Sequence, residues 1–159
     1  MISTGGRVGH VSLLRYHTCT VAMDTLTRAE RSKRMALIRS RDTKPEIRVR
    51  RLVHKLGFRY RLHRADLPGK PDLVFPGRRK VLFVHGCFWH RHPRCTLARL
   101  PKSRLRFWLP KLDENRRRDL RNLRKLRKLG WAPEVVWECE LSKTALLESR
   151  IRTFLGAHS

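Results

Sequence analysis

Acidic residues are scarce in this chain. Asp and Glu total 13 against 38 Lys and Arg, a formal net charge of +25 over 159 residues. A folded domain with so much like charge repels itself, so it expects a polyanionic partner. DNA or RNA is the first candidate and an anionic membrane surface the second. Long apolar runs are also missing. No window approaches the roughly 20 residues of a spanning helix, and the basic residues are spread through structured-looking segments, so nucleic acid is preferred. Cysteine is limited to Cys19, Cys87, Cys95 and Cys139. The chain reads as carrying no signal peptide and as no small secreted scaffold, so a disulfide framework is not expected. The expected setting is the cytoplasm, where reduced thiols are free to hold metal. No internal repeat is visible. An apolar fraction of 40% is enough to build one core.

Residues 1–22 show no periodicity and no capping signal. They are expected to be a disordered N-terminal extension or an upstream mis-start, with a single domain over residues 23–159. Thr27 and Glu30 form a capping box that predicts a first helix over residues 27–39. Thr43 and Glu46 form a second. Val49, Leu52, Val53 and Leu56 then mark one apolar helical face, and Gly57 stops the helix. Residues 58–62 suggest a strand, Pro68, Gly69 and Pro71 a turn, and residues 72–75 a short strand. Pro76-Gly77 is a tight turn into a buried strand over residues 80–85, which makes a hairpin. From Leu105 the pattern is helical, with Pro110 as a break or first-turn residue. Leu112, Leu120, Leu123 and Leu126 lie on or near one face, interrupted by Arg116. The other faces carry Arg117, Arg118, Arg121, Arg124, Lys125 and Lys128. Residues 134–138 read as a strand leading into Cys139, and a last amphipathic helix follows from Leu141. The order suits an α/β fold, a mixed sheet with helices packed on it.

The run from Val81 to Cys95, VLFVHGCFWHRHPRC, concentrates the chemistry. Thiolate and imidazole are the ligands zinc takes, and four of them close a tetrahedral site. Cys87, His92 and Cys95 supply three, and Cys139 could supply the fourth. The plain alternative treats Cys87 and Cys139 as buried small hydrophobes. His85 and His90 are then spare. Either could take a proton from water near neutral pH, replace Cys139 on zinc, or contact phosphate. Asp72, just past a Pro-Gly-Lys-Pro turn, is placed as a Mg²⁺-binding carboxylate would be, or as a turn aspartate accepting backbone amides. Glu46 fits a cap, or a contact to metal-bound water. Phe88 and Trp89 sit between the zinc ligands, where they could wedge between base steps or pack over the metal loop. Trp108 has the same two readings.

Five ordered motifs together resemble the very short patch repair (Vsr) endonuclease family. They are Arg41-Asp-Thr-Lys-Pro-Glu46, Leu67-Pro-Gly-Lys-Pro-Asp72, Val84-His-Gly-Cys-Phe-Trp-His90, Phe107-Trp108 and Val136-Trp-Glu-Cys139. The resemblance covers residues 25–141 and is most specific in the HGCFWH run. It implies a restriction-endonuclease-like core, a central mixed β-sheet flanked by helices with a structural zinc site. It implies nicking of double-stranded DNA 5′ of the thymine in T:G mismatches left by deaminated 5-methylcytosine, which initiates very short patch repair. Asp72 matches the carboxylate that binds catalytic Mg²⁺, and the backbone carbonyl of Val84 matches the second protein contact to that ion. His90 matches the general base, with His85 and Glu46 in supporting positions. Cys87, His92, Cys95 and Cys139 match the structural Zn²⁺ ligands. Phe88, Trp89 and Trp108 match the DNA-intercalating aromatics. The loop before Cys95 departs from the family's best-known form, with Arg91, Pro93 and Arg94 and one extra residue. The resemblance further implies a monomeric, nucleoid-associated bacterial enzyme with no membrane role, which could meet mismatch-repair proteins. The rival reading is a non-catalytic zinc-containing nucleic-acid-binding protein, which leaves Asp72 and the spare histidines idle.

Overall fold

Helix α1, Lys44–Lys55, starts where the second capping box places it. The Glu46 amide donates to Thr43 Oγ1 at 3.4 Å, and the Thr43 hydroxyl donates to Glu46 Oε1 at 2.8 Å. Pro45 is harmless there, because a first-turn residue has no intrahelical acceptor for an N–H. Gly57 ends the helix at φ +87°, a conformation glycine adopts without penalty. The structure, a computed structural model, describes Thr27 and residues 41–62 and 64–156. Thr27 apart, these belong to one compact unit, residues 39–159. The helix expected over residues 27–39 and the extension expected over residues 1–22 lie, Thr27 apart, outside the described residues.

The described strands form one mixed sheet in the order β1-β2-β3-β4. β1 (Arg61–Leu62), β2 (Leu73–Phe75) and β3 (Lys80–His85) are antiparallel neighbours, and β4 (Ala132–Trp137) runs parallel to β3. The β2–β3 hairpin turns through a 3₁₀ turn, Pro76–Arg78, closed by Arg79 at φ +50°, not through a two-residue Pro-Gly turn. Asp72 lies just before β2 and not within it. β4 begins at Ala132, where the pattern suggested Glu134. Pro133 fits within it, because β4 lies at the edge of the described sheet and an edge strand tolerates a proline.

Helix α2, Leu105–Lys128, continues through Pro110. Its ring removes one N–H, and the bereft Arg106 carbonyl lies on an exposed residue that water can serve. Of the leucines expected along one face, Leu112 and Leu126 are buried, but Leu120 is 46% exposed. Leu123 is half-buried and packs against the core as expected, and the inward side also carries the polar Asn115 and Asp119. After β4, a 3₁₀ turn (Glu138–Ser142) precedes helix α3, Thr144–Leu155. The last helix therefore starts later than Leu141.

Side chains alternate along β2 and β3, so the sheet buries both faces. Leu73, Phe75 and Leu82 join Val49, Leu52 and Val53 of α1, Leu56 just past its end, and Leu147, Ile151 and Leu155 of α3. Val74, Val81 and Phe83 join Leu67 and Leu126 on the other face, under α2. Each such side chain contributes ~1.5–3 kcal/mol on burial. No described helix is long and apolar enough to cross a membrane.

Candidate active site and metal centre

The parallel register of β3 and β4 brings two distant cysteines together. His85 pairs with Trp137 at the ends of the strands. Cys87 and Cys139 each follow two residues later, so both chain exits deliver a thiol to the same edge. His92 turns back between them, with Nδ1 3.6 Å from Cys87 Sγ and 3.3 Å from Cys139 Sγ. With Cys95 added, one ligand atom from each of the four residues lies within 4.8 Å of every other. Zn–S bonds of ~2.3 Å and Zn–N bonds of ~2.0 Å in a tetrahedron give an S···N edge of about 3.5 Å, so the donor set fits a zinc-like ion. Burial pushes the Cys87 thiol up to about 12 and raises Cys139 as well. Thiolates gather here only where a cation balances them. The turn carrying Cys139 is anchored from outside. Glu140 accepts from the Trp137 amide at 2.7 Å and from both Arg150 terminal nitrogens at 2.8 Å.

A second group adjoins the same end of β3. Asp72 Oδ2 accepts the Val84 amide at 2.7 Å, extending the β2–β3 pairing with a side chain. The neighbouring His85 is 7% exposed and lies on the face under α2. Burial first, and then the adjacent His90, lower its pKa to about 3, so it stays neutral at ordinary pH. The His90 ring stacks on His85 at 3.8 Å and 9°. Asp119 of α2 holds His90, with Nδ1 to Oδ2 at 2.5 Å. A carboxylate accepts, so Nδ1 carries the hydrogen and Nε2 keeps its lone pair. These three residues could also be viewed as a metal site. Cofacial rings, however, keep their lone pairs in two near-parallel planes, with ring centroids 3.8 Å apart, which does not converge them on one ion. The arrangement suits proton transfer better.

Glu46 is 5% exposed. Its carboxylate accepts from the Asp42 amide at 2.9 Å and from Arg50 at 3.1 Å, besides the Thr43 hydroxyl. These contacts account for it as a cap.

The aromatics meet one another outside both cores. Trp108 packs edge-on against Phe88 at 5.4 Å and lies 6.0 Å from Trp89, and Phe88 and Trp89 are 5.1 Å apart. Phe107, 49% exposed, joins through Trp108 at 5.2 Å. Asn115 ties the cluster to α2 by donating to the Trp89 carbonyl at 3.2 Å. The basic residues of α2 named above are all exposed.

Sequence reasoning passed over Asp119 and Trp137. Asp119 left one signal. It lies seven residues after Leu112 and seven before Leu126, on the buried face of a helix otherwise rich in arginine. Trp137 gave no signal beyond its place beside Cys139.

The sequence model of the family described as DNA mismatch endonuclease Vsr matches residues 23–96. A type II nicking enzyme, V.XorIIP, of Xanthomonas oryzae pv. oryzae is 54% identical over 132 residues, covering 83% of this chain and 96% of that protein. A second nicking enzyme, V.NmeAIP, of Neisseria meningitidis is 43% identical over 128 residues, 80% of this chain and 91% of the relative. The DNA mismatch endonuclease Vsr of Escherichia coli is 45% identical over 118 residues, 74% of this chain and 75% of its own. Identity of this extent, together with the matching family model, means that the chain belongs to the DNA mismatch endonuclease Vsr family.

Proposed function

We propose that this chain is a zinc-stabilised, Mg²⁺-dependent endonuclease that nicks double-stranded DNA 5′ of the thymine in a T:G mismatch. Such mismatches arise when 5-methylcytosine deaminates, and the nick initiates very short patch repair. The reading assigns the α/β sheet and its helices to a restriction-endonuclease-like core. The observation that carries it is the histidine group at the end of β3. His90 is oriented by Asp119 and backed by a neutral His85, and the Asp72 carboxylate is fixed on the adjoining Val84 amide. A purely structural loop has no need of that arrangement.

In this reading the exposed arginines of α2 hold the duplex through its phosphates. Phe88, Trp89 and Trp108 enter the base stack at the mispaired step, which costs less to open than a paired one. Asp72 and the Val84 carbonyl would hold Mg²⁺, which supplies charge neutralisation at the scissile phosphate when bound. His90 Nε2 takes the proton of the attacking water, and Asp119 stabilises the imidazolium that results. Cys87, His92, Cys95 and Cys139 would hold Zn²⁺, a closed site whose role is to fix the loop carrying Phe88, Trp89 and His90. The protein acts as a monomer at the bacterial nucleoid, and its product passes to repair proteins.

The test is nicking of T:G and matched duplexes by the wild type and by Asp72→Ala. The wild type nicks the mismatched strand in Mg²⁺ and stops in EDTA, and Asp72→Ala is inactive while still binding DNA. Equal cutting by both proteins overturns the assignment. Tight DNA binding by a wild type that never nicks favours a non-catalytic zinc-containing binder.

A further inference from the structure

We infer that Trp137 is a positioning residue that couples the zinc clasp to the catalytic histidines. One face of its indole stacks on His92, with ring centroids 4.1 Å apart and planes 8° from parallel. It meets the buried His85 ring at 5.4 Å and 76°, an edge-to-face contact. His85 in turn stacks on His90 at 3.8 Å, and His90 is held by Asp119. Four rings thus form a continuous line from a metal ligand to the proposed base. Trp137 is the sole described ring in contact with both His92 and His85.

The backbone around Trp137 is fixed on two sides. Trp137 pairs with His85 in the parallel β3–β4 register, and its amide donates to Glu140, itself gripped by Arg150. The backbone that carries the indole is therefore held, and the ring lies as a flat wall between His92 and His85. Stacked on that wall, the His92 ring is opposed from tilting, and in the plane so set its Nδ1 faces Cys87 and Cys139. The same wall limits how far His85 can tilt, and His90 rides on His85. His90 itself belongs to the loop that the clasp closes, since its amide donates to the Gly86 carbonyl and the His92 amide donates to the Cys87 carbonyl. Residues behind metal-ligating histidines commonly set ligand orientation, and losing one costs ~10–100-fold in metal affinity or activity. Here one side chain stands behind a proposed metal ligand, His92, and behind His85, which backs the proposed base, at once. The inference rests on the endonuclease reading for its effect on catalysis, but not for its effect on zinc.

Two full-length variants test it. Trp137→Leu keeps an apolar side chain but removes the flat face, and Trp137→Phe keeps a ring. Each is purified with zinc and checked for a cooperative melt. Zinc release to a chromogenic chelator is then timed, and kcat and KM are measured for nicking of a T:G duplex. Trp137→Leu is expected to release zinc ~10-fold faster and to lose ~10–100-fold in kcat, with KM close to wild type. Trp137→Phe should stay close to wild type in all three. The inference is overturned if Trp137→Leu matches wild type in zinc release and kcat, or if Trp137→Phe is as defective as Trp137→Leu. It is also overturned if the loss falls on KM. A wild type that fails to nick at all sinks the functional proposal, yet the zinc-release rates still decide the stacking claim.

Discussion

His90 sits in a loop, where its ring would rotate freely unless something fixed it. Asp119 does so from a helix, and the 2.5 Å contact decides which ring nitrogen keeps its lone pair. Asp119→Asn preserves the shape and removes the charge that favours an imidazolium. It should lower kcat for nicking by on the order of 10²-fold, with a melting temperature near wild type and unchanged DNA affinity. Steady-state kinetics beside an anisotropy titration separate these. An unaltered kcat would show that His90 needs no orienting partner. The zinc site offers a second test of the same kind. Cys139→Ser leaves Cys87, His92 and Cys95 in place, yet outer partners of a metal site alone are worth ~10–100-fold in affinity. Loss of a direct ligand should exceed that, so the purified variant carries well under one zinc per chain by elemental analysis. Full zinc occupancy would mean that another residue completes the set.

Helix α2 works as an element with two opposed duties. Its outer side presents arginines, while its inner side packs Leu112, Leu123 and Leu126 inward and brings Asn115 and Asp119 to the site. A leucine on this helix therefore matters according to its angle. Leu126→Ala empties a fully buried position and should cost ~2–5 kcal/mol in denaturant melts. Leu120→Ala, on the exposed side, should stay within ~0.5 kcal/mol. Similar losses at both positions would contradict the helix orientation. Pro110 belongs to this scale as well. The ring breaks one hydrogen bond in an otherwise regular helix, at up to ~3 kcal/mol. Pro110→Ala should raise the melting temperature, by ~2–4 °C for each kcal/mol recovered in a chain of this size. A fall would indicate that the proline is needed for the approach of Phe107 and Trp108.

For the whole molecule, the dominant quantity is a net charge of +25. Charge on this scale acts on any duplex, matched or mismatched, because phosphate contacts carry no sequence information. Each neutralised phosphate contributes about −0.9 to the slope of log K against log salt. Contact with six or more phosphates therefore gives a slope of about −5 or steeper. Anisotropy titrations between about 50 and 200 mM salt should give the same steep slope for T:G and matched DNA. A mismatch preference, if the aromatics supply it, appears as a vertical offset between parallel lines. A shallow slope would mean that most of the exposed arginines never reach the backbone.

Short-range regularities were enough for much of this. A capping box and an apolar face at helical spacing specified α1, since both are contacts between residues three or four apart. The hairpin followed from Asp72 to His85 in the same way, and so did the closely spaced set Cys87, His92 and Cys95. Other features depend on segments that meet only on folding. Cys139 reaches Cys87 because two strands run parallel in a register that aligns His85 with Trp137, and nothing local encodes that pairing. Asp119 becomes the partner of His90 because α2 lies across the sheet face on which His85 and Phe83 project. Leu120 and Pro110 were misjudged for a related reason. A nominal apolar row and a nominal helix breaker are statements about an isolated helix, whereas burial and water access are set by what packs against it.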